Sequence, residues 1–517
     1  MPHSKIRRFL VLLIGCAAVC STSAWPQKKQ TNSPSPVTAA RAEISRGQLD
    51  VAEKTLWTVL SSDPNEPEAL TLLGIVRGRQ KRYTEAEALF RRVLQLTQNS
   101  LVAHRNLAEA LIAQNKPDAA LEEYKEVVKL APHDYSAKLE LAHLYLGRGE
   151  FADALSNLNS IPRDRLPPEA LPAQAASLFG LGRREEAAAL IPRAKQSPAI
   201  AAELAEVFLD ANAPEYAIQL IDAALAGSQH PPSRLYYLKG RALQAMGNSS
   251  AALSNLQQAL TREPKSVDTL IAIAALEASR NNHEKSLGLL KRAYVLQPDL
   301  PAVLRALVVE GMKAGQRKTA LAAAQALADR NSDDLDDLYL AAAAMLEGQD
   351  FATASSIFEK YVSQRPGDSK AFLGLGIAQL AQQHYEEATK ALERSLQIDP
   401  KLADAEYQLG ILAEQKGATP EALQHFDRAV QLQPQHAKAL ASLGKQYLQA
   451  GDLEKAESAL ARSVSVDPND FKTQYDLALV LSKLGKSEEA RQHMERSRAL
   501  KTAEDSGKNP ASAVAKP

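Results

Sequence analysis

The chain has 517 residues, of which 61 are basic and 61 acidic, so its formal net charge is zero. That balance, with no long basic run, lacks the electrostatic footprint of a nucleic-acid binder. The length exceeds what one globular core usually holds, which leaves several domains or an array that grows lengthwise.

At the N-terminus, Lys5, Arg7 and Arg8 precede an apolar stretch from Phe9 to Cys20 and then Ser21-Thr22-Ser23-Ala24. A basic start, a short apolar run and small residues describe a secretory signal, so residues 1–24 read as removed and the mature protein as exported, periplasmic or secreted. The run falls short of the roughly 20 apolar residues that span a bilayer. Leu13-Ile14-Gly15-Cys16 also resembles a bacterial lipobox, and acylation of Cys16 would make the protein an outer-membrane lipoprotein, the one case in which a membrane is a partner. The chain's 2 cysteines, Cys16 and Cys20, both lie here, so cleavage after Ala24 leaves no disulfide. Residues 25–36 read as a flexible linker.

From there a small residue recurs at a nearly fixed step: Ala52, Ala86, Ala120, Ala154, Ala187, Ala217, Ala252, Ser286, Ala320, Ala354, Ala388, Ala422, Ala456 and Ala490. The step is 34 residues except for 33, 30 and 35 between Ala154 and Ala252. Twelve residues before each stands another small residue, from Ala40 and Gly74 to Gly444 and Ala478, with Val308 as the one bulky member. Twelve residues after, proline falls at Pro64, Pro132, Pro264, Pro298, Pro366, Pro400, Pro434 and Pro468. Small residues let two helices approach closely, and proline stops the second one. A period in this range marks stacked two-helix units that cannot bury their apolar faces alone. The spacing predicts an all-α solenoid of about fourteen repeats.

Nine of the 27 prolines crowd into residues 162–232, where the step contracts. Residues 161–232 therefore read as degenerate repeats, either a hinge between a sub-array over 37–160 and one over 233–502, or repeats that stack with altered twist. Residues 503–517 read as a disordered tail.

No catalytic, metal or cofactor motif emerges. The 10 histidines show no metal-ligand spacing. Gly374-Leu375-Gly376 lacks the third glycine of a dinucleotide fingerprint and has no preceding strand, so these are packing glycines. Asn248-Ser249-Ser250 fits a glycosylation acceptor, but Asn248 sits where a helix cap belongs. The run Asp333, Asp334, Asp336 and Asp337 opens a first helix, where carboxylates meet the positive end of the dipole.

The spacing of Leu443, Gly444, Tyr447, Ala456, Leu460 and Pro468 resembles the signature of the tetratricopeptide repeat. It returns at Leu409, Gly410, Ala422, Phe426 and Pro434, and more loosely at Leu73, Gly74, Ala86 and Phe90, across residues 34–502. The resemblance implies a right-handed superhelix with a concave groove, lined by the fifth, ninth and twelfth positions of each first helix. Those positions hold Tyr237, Tyr339, Tyr407 and Tyr475 together with Arg241, Arg305, Glu414 and Lys445, a mixed-charge candidate site for proteins or extended peptide segments. The tyrosines could equally pack against the adjacent helix. The expected function is a non-catalytic interaction scaffold in the bacterial cell envelope. The alternatives are an acylated outer-membrane lipoprotein of an assembly or polysaccharide-export system, and an enzyme with an unrecognised site.

Overall fold

The structure, a computed structural model, describes residues 35–330 and 334–505. The signal segment 1–24, Cys16, most of the linker, Asp333 and residues 506–517 lie outside the described residues. Those that are described form helices and no strands, in two compact units that meet in sequence at Pro264 and Lys265. Each unit holds seven helix pairs, so the fourteen predicted repeats are present. The first unit runs from Pro36–Ser45 to Ser249–Arg262, and the second from Val267–Ser279 to Ser487–Asp505. The last helix continues past residue 502, and Ala503 is buried.

One packing rule explains the ladder. Let the small residue of the first helix be position 8 and that of the second helix position 20, as in Gly444 and Ala456. Every residue of both series is buried, Val308 and Ser286 included. Position 24, one turn after position 20, carries a large side chain that enters the gap at position 8. A Cβ on Gly74 would lie 2.5 Å from the ring of Phe90, one on Gly410 2.5 Å from Phe426, and one on Gly444 2.4 Å from Leu460. Where position 8 is glycine, the side chain at position 24 therefore packs directly on the backbone of the first helix. The exception obeys the same rule in reverse. Opposite the bulky Val308, position 24 is Ala324, fully buried, so the pair keeps its summed volume while exchanging which helix supplies it.

The turn between paired helices is equally regular. Position 15 has a positive φ in every repeat: Gly in eight, and Lys81, Asn115, Asn212, Asn281, Gln349 and Gln383 in the other six. A left-handed residue reverses the chain after the first helix and lets its terminal carbonyls find donors, as when Lys486 N–H bonds Leu481 C=O at 2.9 Å. Asparagine tolerates this conformation, whereas lysine and glutamine strain to hold it.

The proline-rich stretch keeps the internal spacing of its repeats and loses residues elsewhere. Helix Phe151–Asn159 is nine residues long, and the second helix of the fifth repeat is broken into Arg184–Ala188 and Ile191–Ala194 around Pro192. An apolar core nevertheless runs from Leu155 to Ala242, with Phe208 edge-on to Phe179 at 5.6 Å and to Tyr216 at 5.9 Å between ring centres. The two flagged polar features are caps. Asn248 accepts the Ala251 N–H at 3.2 Å, and Asp334 accepts that of Asp336 at 3.1 Å.

Two outcomes follow for stability. Ala324→Leu alone overpacks the ninth repeat and should cost about 1–3 kcal/mol, while Val308→Ala with Ala324→Leu should cost less than the sum of the single changes. Urea unfolding of the four proteins closes that cycle, and strict additivity would refute the volume exchange. Gln383→Gly and Lys81→Gly, both at exposed positions, should each stabilise by about 0.5–1 kcal/mol through relief of the left-handed strain. Asn115→Gly, measured beside them, should gain less.

Candidate interaction groove

Three consecutive first helices of the second unit, Leu335–Glu347, Ser369–Ala381 and Ala403–Gln415, build a cleft of about 360 Å³. Its walls come from the positions the tetratricopeptide resemblance points inward. Position 5 contributes Tyr339 and Leu373, position 9 Ala343 and Ile377, and position 12 Leu346. Gly374 and the Phe358 ring behind it make the floor, because Phe358 fills the place of a Cβ at 374, which would lie 2.5 Å from the ring. The same observation confirms Gly374 as a packing glycine. Lys370, Glu347 and Asp404 supply the charged lining.

The eight predicted residues divide between the units. Tyr237 and Arg241 belong to the first. There the Arg241 guanidinium lies 5.8 Å from the centre of the Tyr237 ring, and the ring also packs on the apolar core. In the second unit only Tyr339 lines the cleft. Its ring stands 6.1 Å from Phe358 and 5.5 Å from Tyr361, whose hydroxyl donates to Asp368 at 2.8 Å. Burial, and then the Asp368 charge, push the Tyr339 hydroxyl pKa above the ordinary tyrosine value. Tyr407 is half-buried between Phe426 at 5.9 Å and His436 at 5.1 Å, and burial raises its pKa too.

The predicted groove charges are largely consumed by neighbouring repeats. Arg305 donates to Asp334 at 2.5 Å and to Asp337, a buried carboxylate at the start of the next first helix. Lys445 donates to Glu414 of the preceding repeat at 3.0 Å. These ion pairs tie one repeat to the next; the Lys445–Glu414 pair has the modest energy of a half-exposed pair, whereas Asp337 is buried and needs Arg305 to compensate its charge. Tyr475 is different: its ring is 45% exposed, and no described repeat follows to cover it.

Leu373, Ile377 and Ala343 were not among the predicted site residues, although they occupy the same register as the tyrosines. An apolar residue on an amphipathic helix reads as core, and only the period shows that positions 5 and 9 turn away from it.

Three tetratricopeptide-repeat family profiles match residues 65–133, 111–177 and 237–301, and that of the cilia and flagella-associated protein 70 C-terminal domain matches 314–513. The chain is a tetratricopeptide-repeat protein. Among curated proteins it is similar to cellulose synthase operon protein C of Xanthomonas axonopodis pv. citri (strain 306), 30% identical over 158 residues; these are 29% of this chain but 10% of that relative's length. Among solved structures, YrrB, titled a TPR protein with an unusual peptide-binding site, is 20% identical with a TM-score of 0.32, covering 36% of this chain and 96% of its own. The APC/C hetero-tetramer Cut9-Hcn1 is 15% identical with a TM-score of 0.32, covering 90% and 93%.

The geometry separates stacking tyrosines from free ones. Tyr407→Ala should lower stability by about 2 kcal/mol, since it removes a half-buried ring between two aromatic neighbours. Tyr475→Ala should change stability by less than about 0.5 kcal/mol. Urea titration followed by far-UV circular dichroism compares the two.

Proposed function

We propose that this protein is a non-catalytic scaffold of the bacterial cell envelope that binds extended segments of partner proteins along the inward face of its repeats. Repeat arrays of this kind offer extended binding surfaces and need no enzyme site. The cleft carries the reading. It is concave, largely apolar and close to the smallest of ligand pockets, which begin at roughly 300 Å³. It is also built from the register that the family uses for recognition. Export rests on the signal-like residues 1–24. The second reading, an acylated lipoprotein of a polysaccharide-export or assembly system, draws on the lipobox-like Leu13-Ile14-Gly15-Cys16 and on the partial likeness to a cellulose synthase operon protein.

Partner capture tests the scaffold. Cross-linking in the native host followed by purification should recover a defined partner with the parent protein. Ile377→Asp, which charges the cleft wall at a half-buried position, should lower recovery at least about tenfold, equivalent to 1.4 kcal/mol, with helicity unchanged. Equal recovery with both proteins would remove the cleft from the function. Intact-mass and N-terminal analysis of the native protein tests the targeting. A chain beginning at Trp25 supports the exported, unlipidated form, and one beginning at a lipid-modified Cys16 moves the assignment to the second reading.

A further inference from the structure

The charges around the cleft are unequal. Asp404 and Glu347 lie in its lining with Lys370, and Asp336 stands one turn before Tyr339 on the same helix. That sets three carboxylates against the Lys370 ammonium and, at the outer edge, the Arg365 guanidinium, an excess of one negative charge. Asp336 is 90% exposed, with its nearest cation, Arg365, 3.8 Å away. The Glu347 carboxylate has no hydrogen-bond or ion-pair partner among the described residues. Asp404 is 62% exposed and gives only one oxygen, Oδ1, to the His436 imidazole, at 3.1 Å.

The histidine fixes how that aspartate is held. His436 Nδ1 accepts the Ala439 N–H at 3.1 Å, capping the next first helix, so the imidazole proton sits on Nε2 and is donated to Asp404. His436 is buried against Tyr407 and acts as a positioning residue. Asp404 is therefore anchored at one oxygen and leaves the other for a ligand.

Beneath this rim the cleft is largely apolar. The absence of a side chain at 374 lets the Phe358 ring reach the floor, and Ala343 keeps the middle of the wall low. The volume suits one large side chain with its own stretch of backbone.

We propose that the cleft selects a partner segment in which one large apolar side chain is flanked by basic residues. The apolar group fills the space above Gly374 and Phe358. The flanking cations meet Asp404 and Glu347, with Asp336 at the outer edge. The proposal rests on the groove reading above and adds the chemistry of the occupant. Charge complementarity of this kind chooses among partners and speeds their encounter more than it deepens affinity.

The test uses fluorescein-labelled synthetic peptides in a Gly-Ser host and fluorescence anisotropy on the full chain. One probe has a central Phe flanked by Lys, the second the same Phe flanked by Glu, and the third the Lys flanks with Ser in place of Phe. The Lys-Phe-Lys probe should bind at least about tenfold more tightly than either of the others, a difference of 1.4 kcal/mol, and its advantage over the Glu-flanked probe should shrink as salt is raised. Glu347→Lys with Asp404→Lys should reverse the preference toward the Glu-flanked probe. Ala343→Glu should weaken all Phe probes, with circular dichroism confirming an intact fold.

Equal binding of Lys- and Glu-flanked probes would overturn the charge selection, while loss of both in Ala343→Glu would keep the apolar pocket and the groove reading. Unchanged binding in Ala343→Glu would place the peptide elsewhere and overturn the inference. So would failure of all three probes to bind the parent, whereas the scaffold reading itself stands or falls on partner capture.

Discussion

Close packing of the position 24 side chain on the first helix at position 8 is the constraint on which the rest of the structure depends. A helix pair can approach this closely where one partner offers a small side chain or none there, and the other then fills the gap from position 24. Gly410 under Phe426 and Gly444 under Leu460 show the ordinary arrangement. Val308 opposite Ala324 shows that either helix can supply the larger side chain. Two large side chains at one contact would not fit, since interiors are filled to crystal-like density. The distance between the paired helices is thus set locally, fourteen times over.

Once that distance is set, the turn has little freedom. Twelve residues separate positions 8 and 20 in every repeat, including those crowded with proline, and position 15 is left-handed in all of them. The irregularity between Ala154 and Ala252 therefore belongs to the junctions between repeats and to the broken second helix around Pro192. The pair survives where the spacing of pairs does not, which is why an apolar core continues through the stretch.

The number and spacing of the repeats were legible because a small residue held at a fixed period over most of a chain arises when similar helix pairs stack, and from little else. The left-handed residues were only half legible. Gly and Asn announce the turn, but Lys81, Gln349 and Gln383 have no preference for it and hold it because packing on both sides demands it. At the candidate site, tyrosines and charges drew attention by type, yet type does not reveal whether a neighbour already uses them. The period does. A side chain at position 5 meets the cap of the next first helix 29 residues on, as Arg105 meets Asp134, Arg305 meets Asp334 and Tyr407 meets His436. Arg305, and Lys445 by a similar link to Glu414, are thereby committed to stacking. Leu373 and Ile377 escaped notice for the opposite reason: they have the composition of core and the position of surface.

Position 5 thus has two duties that compete. Where its side chain reaches the next cap, it joins repeats and is withdrawn from the groove. Where it does not, it remains accessible, as at Tyr475. Beside Tyr339 it is Tyr361 that reaches the next cap, Asp368, while Gly374 on the neighbouring helix removes the side chain that would otherwise close the space next to Tyr339 and leaves Phe358 as the floor. A groove of identical repeats would present the same shallow surface throughout its length. In the second unit a single glycine, placed two residues before the packing position Gly376, deepens that surface at one point.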